Sequence, residues 1–261
     1  MGVKTLIEKH QLPKEYQTFN LKETIDGVSD SVYLLGDSYV IKLFENSNKQ
    51  NIRNEISLLD KLKLLPTAKI IDTFNIDNKH AIVYTQIEGE SKNNPDISQI
   101  KQIGIFLKSF HNISKNEISS NIKLFEKSQL KDMLQISQNK TLLNYFNHIA
   151  IELKTDGIIH GDLFIDNAKF KDDKLTGVYD FSEACQGDFL FDLAVVSISW
   201  CFDENILNRL KLDALLESYG TNINYDIFIK YIKYALLYYT TLRYINSRDY
   251  KELLIKLEKL I

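Results

Sequence analysis

Cysteine is nearly absent from this sequence. Cys185 and Cys201 are its only two, and nothing in their spacing suits a disulfide framework or a metal site. A reducing, cytoplasmic setting is therefore the expectation. There is no basic excess either: 32 Lys and Arg stand against 35 Asp and Glu, for a net charge of −3, and no long block of lysines occurs. That balance argues against a nucleic-acid partner, which would need a positive field to neutralise phosphates. Long apolar runs are missing too. The longest, 193–202, is interrupted by Ser197 and Ser199 and is too short to span a bilayer, so no membrane partner is expected. The first ten residues carry no apolar stretch of the kind a secretory signal needs. Leu6 stands where N-myristoylation calls for Ser or Thr. Internal repeats and low-complexity tracts are absent, and nothing in the pattern sets an oligomeric state.

What is present is an ordinary globular composition, 44% hydrophobic and 26% charged, in 261 residues, enough to bury one large core or two smaller ones. The first third reads as strands and turns. After a short helix over 6–16, broken at Pro13, extended segments follow at 32–35 and 39–44, with a turn-rich loop, 26–31, ahead of them. Backbone N–H groups of that loop, around Gly27 and Ser29, are candidates for cradling phosphates. Lys42 lies in the apolar strand, its side chain on the face opposite Ile41 and Leu43. A helix over 51–65 carries Glu55 in its first half, and a strand Lys beside a helix Glu suits the α- and β-phosphates of ATP. A second strand pair, 68–74 and 80–84, turns at Asp77-Asn78. Gln86 and Ile87, just beyond it, are placed to offer backbone groups to an adenine edge.

The remainder reads as mostly helical. A helix over 98–111 with Ser98 as its N-cap ends at His111, which reads as structural because nothing reactive adjoins it in sequence. Helices follow at 129–137, 142–154, 207–219, 225–246 and 249–260. A further apolar helix begins near Gly187, and Asp192 inside it requires a buried partner, for which the backbone N–H groups of the loop at 160–167 are candidates.

That loop is the most informative stretch. His160-Gly161-Asp162 is followed by Asn167, then by a Gly-bearing hairpin and Asp180-Phe181. Two carboxylates and an amide at these offsets suit phosphoryl transfer: Asp162 accepts a proton from a hydroxyl nucleophile, while Asn167 and Asp180 hold Mg²⁺ on a nucleoside triphosphate. No covalent nucleophile is needed. The expected architecture is α+β, a bilobal kinase-like fold. Residues 1–88 form an antiparallel sheet lobe with one helix that binds the nucleotide, and residues 89–261 a helical lobe with the catalytic loop and acceptor site.

With these residues assembled, the chain resembles the aminoglycoside phosphotransferase and choline kinase superfamily, most strongly at 160–167 and 180–182. Within it the segments 26–33, 39–45, 177–185, 191–201 and 242–248 are most similar to the homoserine kinases of that fold. The resemblance implies an ATP- and Mg²⁺-dependent kinase with Asp162 as base, Asn167 and Asp180 as metal ligands, and Lys42 on the phosphates, oriented by Glu55. It implies homoserine as acceptor, or a choline, aminoglycoside or sugar in the alternative; a nucleotide-binding pseudokinase is the remaining rival. Arg243 and Arg248 are candidates for an acceptor carboxylate, which a guanidinium fork matches bidentately. Three departures stand out. Such homoserine kinases usually carry Ala where Gly161 stands, an Asn-Asp pair where Ile198-Ser199 precede Trp200, and a longer C-terminus.

Overall fold

The computed structural model describes residues 3–24, 30–115, 117 and 125–261. The chain divides into two compact units, Met1–Glu88 and Gly89–Ile261. The first is built on an antiparallel sheet of β1 (Leu21–Glu23), β2 (Ser31–Leu35), β3 (Tyr39–Leu43), β4 (Ile70–Ile76) and β5 (Lys79–Thr85), with α1 (Lys49–Lys61) between β3 and β4. The strand order is β1-β2-β3-β5-β4. Tyr33 pairs with Ile41 and Ile41 with Val83, so these side chains share one face. Ile7, Leu12 and Tyr16 of the N-terminal segment bury that face. The segment folds as two short 3-10 turns, Lys9–Gln11 and Lys14–Tyr16, not as the expected helix over 6–16. Pro13 forces the change, because it disfavours helical backbone at Leu12, whose ψ is 154°. Helix α1 starts earlier than expected, because the Asn48 side chain caps it on the Asn51 N–H. It also stops earlier, at Lys61, before the turns that precede Pro66.

The second unit is mostly helical. Its helices are α2 (Ile97–Ser114), α3 (Lys127–Ser137), α4 (Lys140–His148), α5 (Phe189–Trp200), α6 (Arg209–Tyr219), α7 (Tyr225–Ile245) and α8 (Lys251–Glu258). Three short antiparallel pairs accompany them: β6 (Gly157–Ile159) with β9 (Cys185–Gly187), β7 (Ala168–Lys171) with β8 (Lys174–Val178), and β10 (Phe202–Asp203) with β11 (Ile206–Leu207). The N-cap of α2 is Asp96, not Ser98. Its carboxylate accepts the Gln99 N–H while the Gln99 side chain accepts the Asp96 N–H, a reciprocal box that satisfies two otherwise orphaned donors. Helix α4 ends at His148, well short of the expected 154, where Ile149 turns extended. Helix α5 is apolar on nearly every side because it is enclosed, with Phe191 to Ile198 and Trp200 buried. Among the described residues no helix is long and apolar enough to cross a membrane.

Helices α2 and α6 approach closely at Gly104. A Cβ there would lie 2.1 Å from Ser218 Oγ and 2.9 Å from the Leu215 carbonyl oxygen. The serine can rotate away, but the backbone oxygen cannot. Gly104→Val is expected to cost about 1–3 kcal/mol and to lower Tm by roughly 4–10 °C. Thermal denaturation checks this, and an unchanged Tm would mean that the two helices separate freely.

Candidate active site

The loop between β6 and β7 is suspended from α5. Asp192, wholly buried, accepts the His160 N–H on Oδ2 and the Gly161 N–H on Oδ1, each at 2.8 Å. The expected buried partners of Asp192 are thus present. About two turns further along α5, Ser199 Oγ accepts the Ile165 N–H at 3.0 Å and Trp200 Nε1 donates to the Leu163 carbonyl at 3.0 Å. From α7, the Tyr239 hydroxyl donates to the Gly161 carbonyl. His160 is buried and its pKa is lowered by that burial, so it is neutral. Its Nδ1 accepts the Asp162 N–H and its Nε2–H donates to the Tyr179 carbonyl. The histidine of the motif is therefore a brace between two loops.

Asp162 projects from this frame half-buried. Asn167 Nδ2 donates to the Asp162 carbonyl at 2.7 Å and to its carboxylate at 3.3 Å. Since only the nitrogen end can donate to both, the amide oxygen of Asn167 points away from Asp162. Asp180 is exposed and held in the left-handed region at φ 61°, with the Ser182 hydroxyl donating to it. Burial pushes the Asp162 carboxyl up to about 8, and the charges of Asp180, Glu183 and Asp166 add to the shift. Such an accumulation of negative charge attracts a cation. The donors present are hard oxygens, an amide and a carboxylate, which fit a divalent ion of the magnesium type. Among the described residues no three His, Cys, Asp or Glu side chains form an all-protein cage.

Gly161 has φ +77°, and an added Cβ would lie 2.5 Å from Phe125 Cε2. The Phe125 ring cannot easily retreat, being packed among Phe191, Tyr238 and Tyr239. An alanine at position 161 has no room here.

In the sheet unit, Lys42 faces away from the Ile41 core as expected. Its Nζ lies 3.9 Å from the buried Glu55 carboxylate and 3.8 Å from Asp30. The Tyr84 hydroxyl donates to Glu55 at 2.9 Å. Sequence reasoning missed Asp30 and Tyr84, which approach from just before β2 and from β5, where the register pairs Lys42 with Val32 and Ile82. The Gln86 N–H is already taken by the Ser38 carbonyl, so of the expected adenine contacts that donor is spent. Ile87 follows directly after it. Gly27 and Ser29 lie outside the described residues. The two arginines of the C-terminal segment part company: the Arg243 guanidinium stands 5.6 Å from the Phe164 ring, beside the catalytic-loop candidate. Arg248 lines a surface groove with Ile136, Ser137 and Tyr250.

The raised pKa of Asp162 has a consequence for stability. Without divalent ion or nucleotide, the folded protein holds a proton on Asp162 that the unfolded chain has lost, so stability falls as pH rises from the ordinary carboxylate range toward about 8. Asp162→Asn removes this penalty. After allowance for solvent screening, the gain should be about 1–2 kcal/mol at pH 8, a Tm higher by roughly 2–6 °C that shrinks to nothing near pH 4. Melting curves across pH check it; a variant less stable at pH 8 contradicts the assigned environment.

The chain is 31% identical to a homoserine kinase of Bartonella tribocorum (strain CIP 105476 / IBS 506) over 153 residues, 53% of this chain and 48% of that protein. The chain spans about half the length of the curated relatives it matches. Its fold is similar to that of the choline kinase LicA from Streptococcus pneumoniae, with a TM-score of 0.66, 14% identity, and coverage of 92% of this chain and 91% of that one. The GDP complex of wild-type aminoglycoside 2'-phosphotransferase-IIIa gives a TM-score of 0.65, 15% identity, and coverage of 92% and 91%. The fold is thus the α+β, protein-kinase-like one. The sequence profile of the phosphotransferase enzyme family (APH) matches residues 21–222, from the first strand of the sheet through Asp162, Asn167, Asp180 and Asp192, and the chain belongs to that family.

Proposed function

We propose that this chain transfers the terminal phosphoryl group of ATP, with Mg²⁺, to the hydroxyl of a small metabolite, and that the acceptor is homoserine. The observation that carries the reading is the Asp162 carboxylate, hydrogen-bonded to Asn167 on a loop whose N–H groups are fixed by Asp192. Asp162 orients the acceptor hydroxyl and takes its proton as the oxygen attacks the phosphorus and the bond to the leaving nucleoside diphosphate breaks. Asn167 and Asp180 would hold Mg²⁺, which when bound neutralises phosphate charge. Lys42, steadied by Asp30 and Glu55, serves the phosphates. Positioning and charge neutralisation supply the rate acceleration, since no side chain forms a covalent intermediate.

Helix α7 and the relatives support homoserine as the acceptor. Arg243 over Phe164 offers a guanidinium fork to an amino-acid carboxylate, and the curated relatives bear the name homoserine kinase. One observation favours a second reading. The Phe164 and Tyr239 rings pack edge to face at 4.9 Å, and the Glu183 charge acts on Asp162 and Tyr239, a combination that suits a cationic acceptor such as choline.

Release of ADP or GDP, measured over homoserine, choline, aminoglycosides and sugars with ATP or GTP as donor, tests both readings. Homoserine with ATP is expected to give the highest kcat/KM. Asp162→Ala should lower kcat by about 10²–10⁴-fold. Arg243→Ala should raise the KM for homoserine about 10- to 100-fold, as loss of a charged hydrogen bond does, with choline turnover unaltered. Turnover of choline but not homoserine would overturn the acceptor assignment. An unaltered kcat in Asp162→Ala would overturn the base.

A further inference from the structure

His111 was expected to be structural, because no reactive group adjoins it in sequence. The fold brings it to the residue on which the catalytic-loop candidate hangs. His111 is 2% exposed, and its Nε2 lies 3.0 Å from Asp192 Oδ2, the oxygen that also accepts the His160 N–H. Its Nδ1 lies 2.9 Å from the Tyr219 hydroxyl at the end of α6. The ring stacks on Phe189, the first residue of α5, with centroids 3.9 Å apart and planes 6° from parallel.

We infer that His111, oriented by Tyr219, is a positioning residue for phosphoryl transfer: it fixes the Asp192 carboxylate and through it the backbone that presents Asp162. The donor directions support this. Burial alone would raise the Asp192 carboxyl, yet its hydrogen bond from His111 and the His111, His160 and Gly161 contributions hold it below the usual carboxylate range, so it accepts only. His111 must then carry a proton on Nε2. Burial and the nearby carboxylates raise the Tyr219 hydroxyl, which keeps its proton and lies in hydrogen-bond contact with Nδ1. Hydrogen bonds therefore link Tyr219 through His111 to Asp192, while the N–H groups of His160 and Gly161 complete the carboxylate. With only the two backbone bonds, a buried carboxylate is free to swing or to take up a proton. The third bond, on Oδ2, sets its plane. In a buried network every member has to be satisfied for the arrangement to be rigid. Small displacements of a reacting group cost rate steeply. The close α2–α6 approach at Gly104 sets the separation across which His111 meets Tyr219.

The inference rests on the proposed role of Asp162, so the test pairs an activity readout with one that does not depend on activity. His111→Leu, His111→Gln and Tyr219→Phe are compared with the wild type for kcat and both KM values, using the best acceptor of the panel. The exchange rates of the His160 and Gly161 amides are measured alongside. Gln can place its Nε2–H where the histidine's was. His111→Leu is expected to lower kcat about 100-fold with both KM values little moved, and to speed exchange of the two amides at least tenfold. His111→Gln should recover most of the rate and the protection, and Tyr219→Phe should fall between. Should His111→Leu fail to fold, Gln and Tyr219→Phe decide. Wild-type kcat and unaltered exchange in Tyr219→Phe, or equal losses in Gln and Leu, overturn the inference. A wild type inactive on every acceptor would overturn the kinase reading, and exchange would still decide whether His111 holds the loop.

Discussion

A carboxylate in the middle of an enclosed apolar helix is costly unless every lone pair that matters is met by a donor. Asp192 meets that condition by drawing the N–H groups of His160 and Gly161 and the imidazole of His111 to itself. The loop cannot relax without leaving those donors, or the carboxylate, unpaired in the core. Two turns along the same helix Ser199 and Trp200 take the next available groups, the Ile165 N–H and the Leu163 carbonyl. The helix thus holds the loop at both ends, and Asp162 is the side chain that emerges between the tethers. Rigidity in such a loop comes from hydrogen-bond satisfaction in the core, and hardly at all from the loop's own propensities.

Asp162 and Asp192 are both carboxylates on or against one loop, and their surroundings push them apart. Donors crowd Asp192 and hold its carboxyl below the ordinary range, while burial and three carboxylates lift that of Asp162 to about 8. Opposite shifts in neighbouring titratable groups are a mark of divided roles. The first is spent on architecture. The second is left with unmet demand for positive charge, which a divalent ion and the proton of an acceptor hydroxyl would each supply.

Much of this was legible in the chain itself, for identifiable reasons. The side-chain period of two placed Lys42 opposite the Ile41 core, and an acid in an apolar run marked Asp192 as needing donors. Local signals competed less well. Asp96 capped α2 where Ser98 was expected, because Gln99 three residues on completes a reciprocal box. What stayed hidden depends on contacts distant in sequence. His111 lies 81 residues from Asp192 and 108 from Tyr219, so sequence adjacency gave it no reactive neighbour. Asp30, just before β2, reaches Lys42 on the neighbouring strand β3. Arg243 and Arg248 look alike in a helical reading, yet one stands over Phe164 and the other lines a groove.

Two of the positions at which the homoserine kinase resemblance breaks, Gly161 and Ser199, both bear on the loop backbone. At Ser199 a hydroxyl accepts the Ile165 N–H, so that tether needs only an oxygen at the right distance. At Gly161 the constraint is steric: the Phe125 ring fills the space that a methyl group would need, and Phe125 is wedged among Phe191, Tyr238 and Tyr239. Tyr239 in turn donates to the Gly161 carbonyl and packs on Phe164, which carries the Arg243 guanidinium. Position 161 is therefore coupled through ring packing to the groups proposed to meet the acceptor, and through its own N–H to the Asp192 tether that presents Asp162. A change there would press on the aromatic wall and also strain the backbone at φ +77° that carries one of the donors to Asp192. On the proposed reading, the chemistry and the choice of acceptor are carried by separate layers around one loop: buried hydrogen bonds to α5 for the first, and the rings of Phe125, Phe164 and Tyr239 for the second.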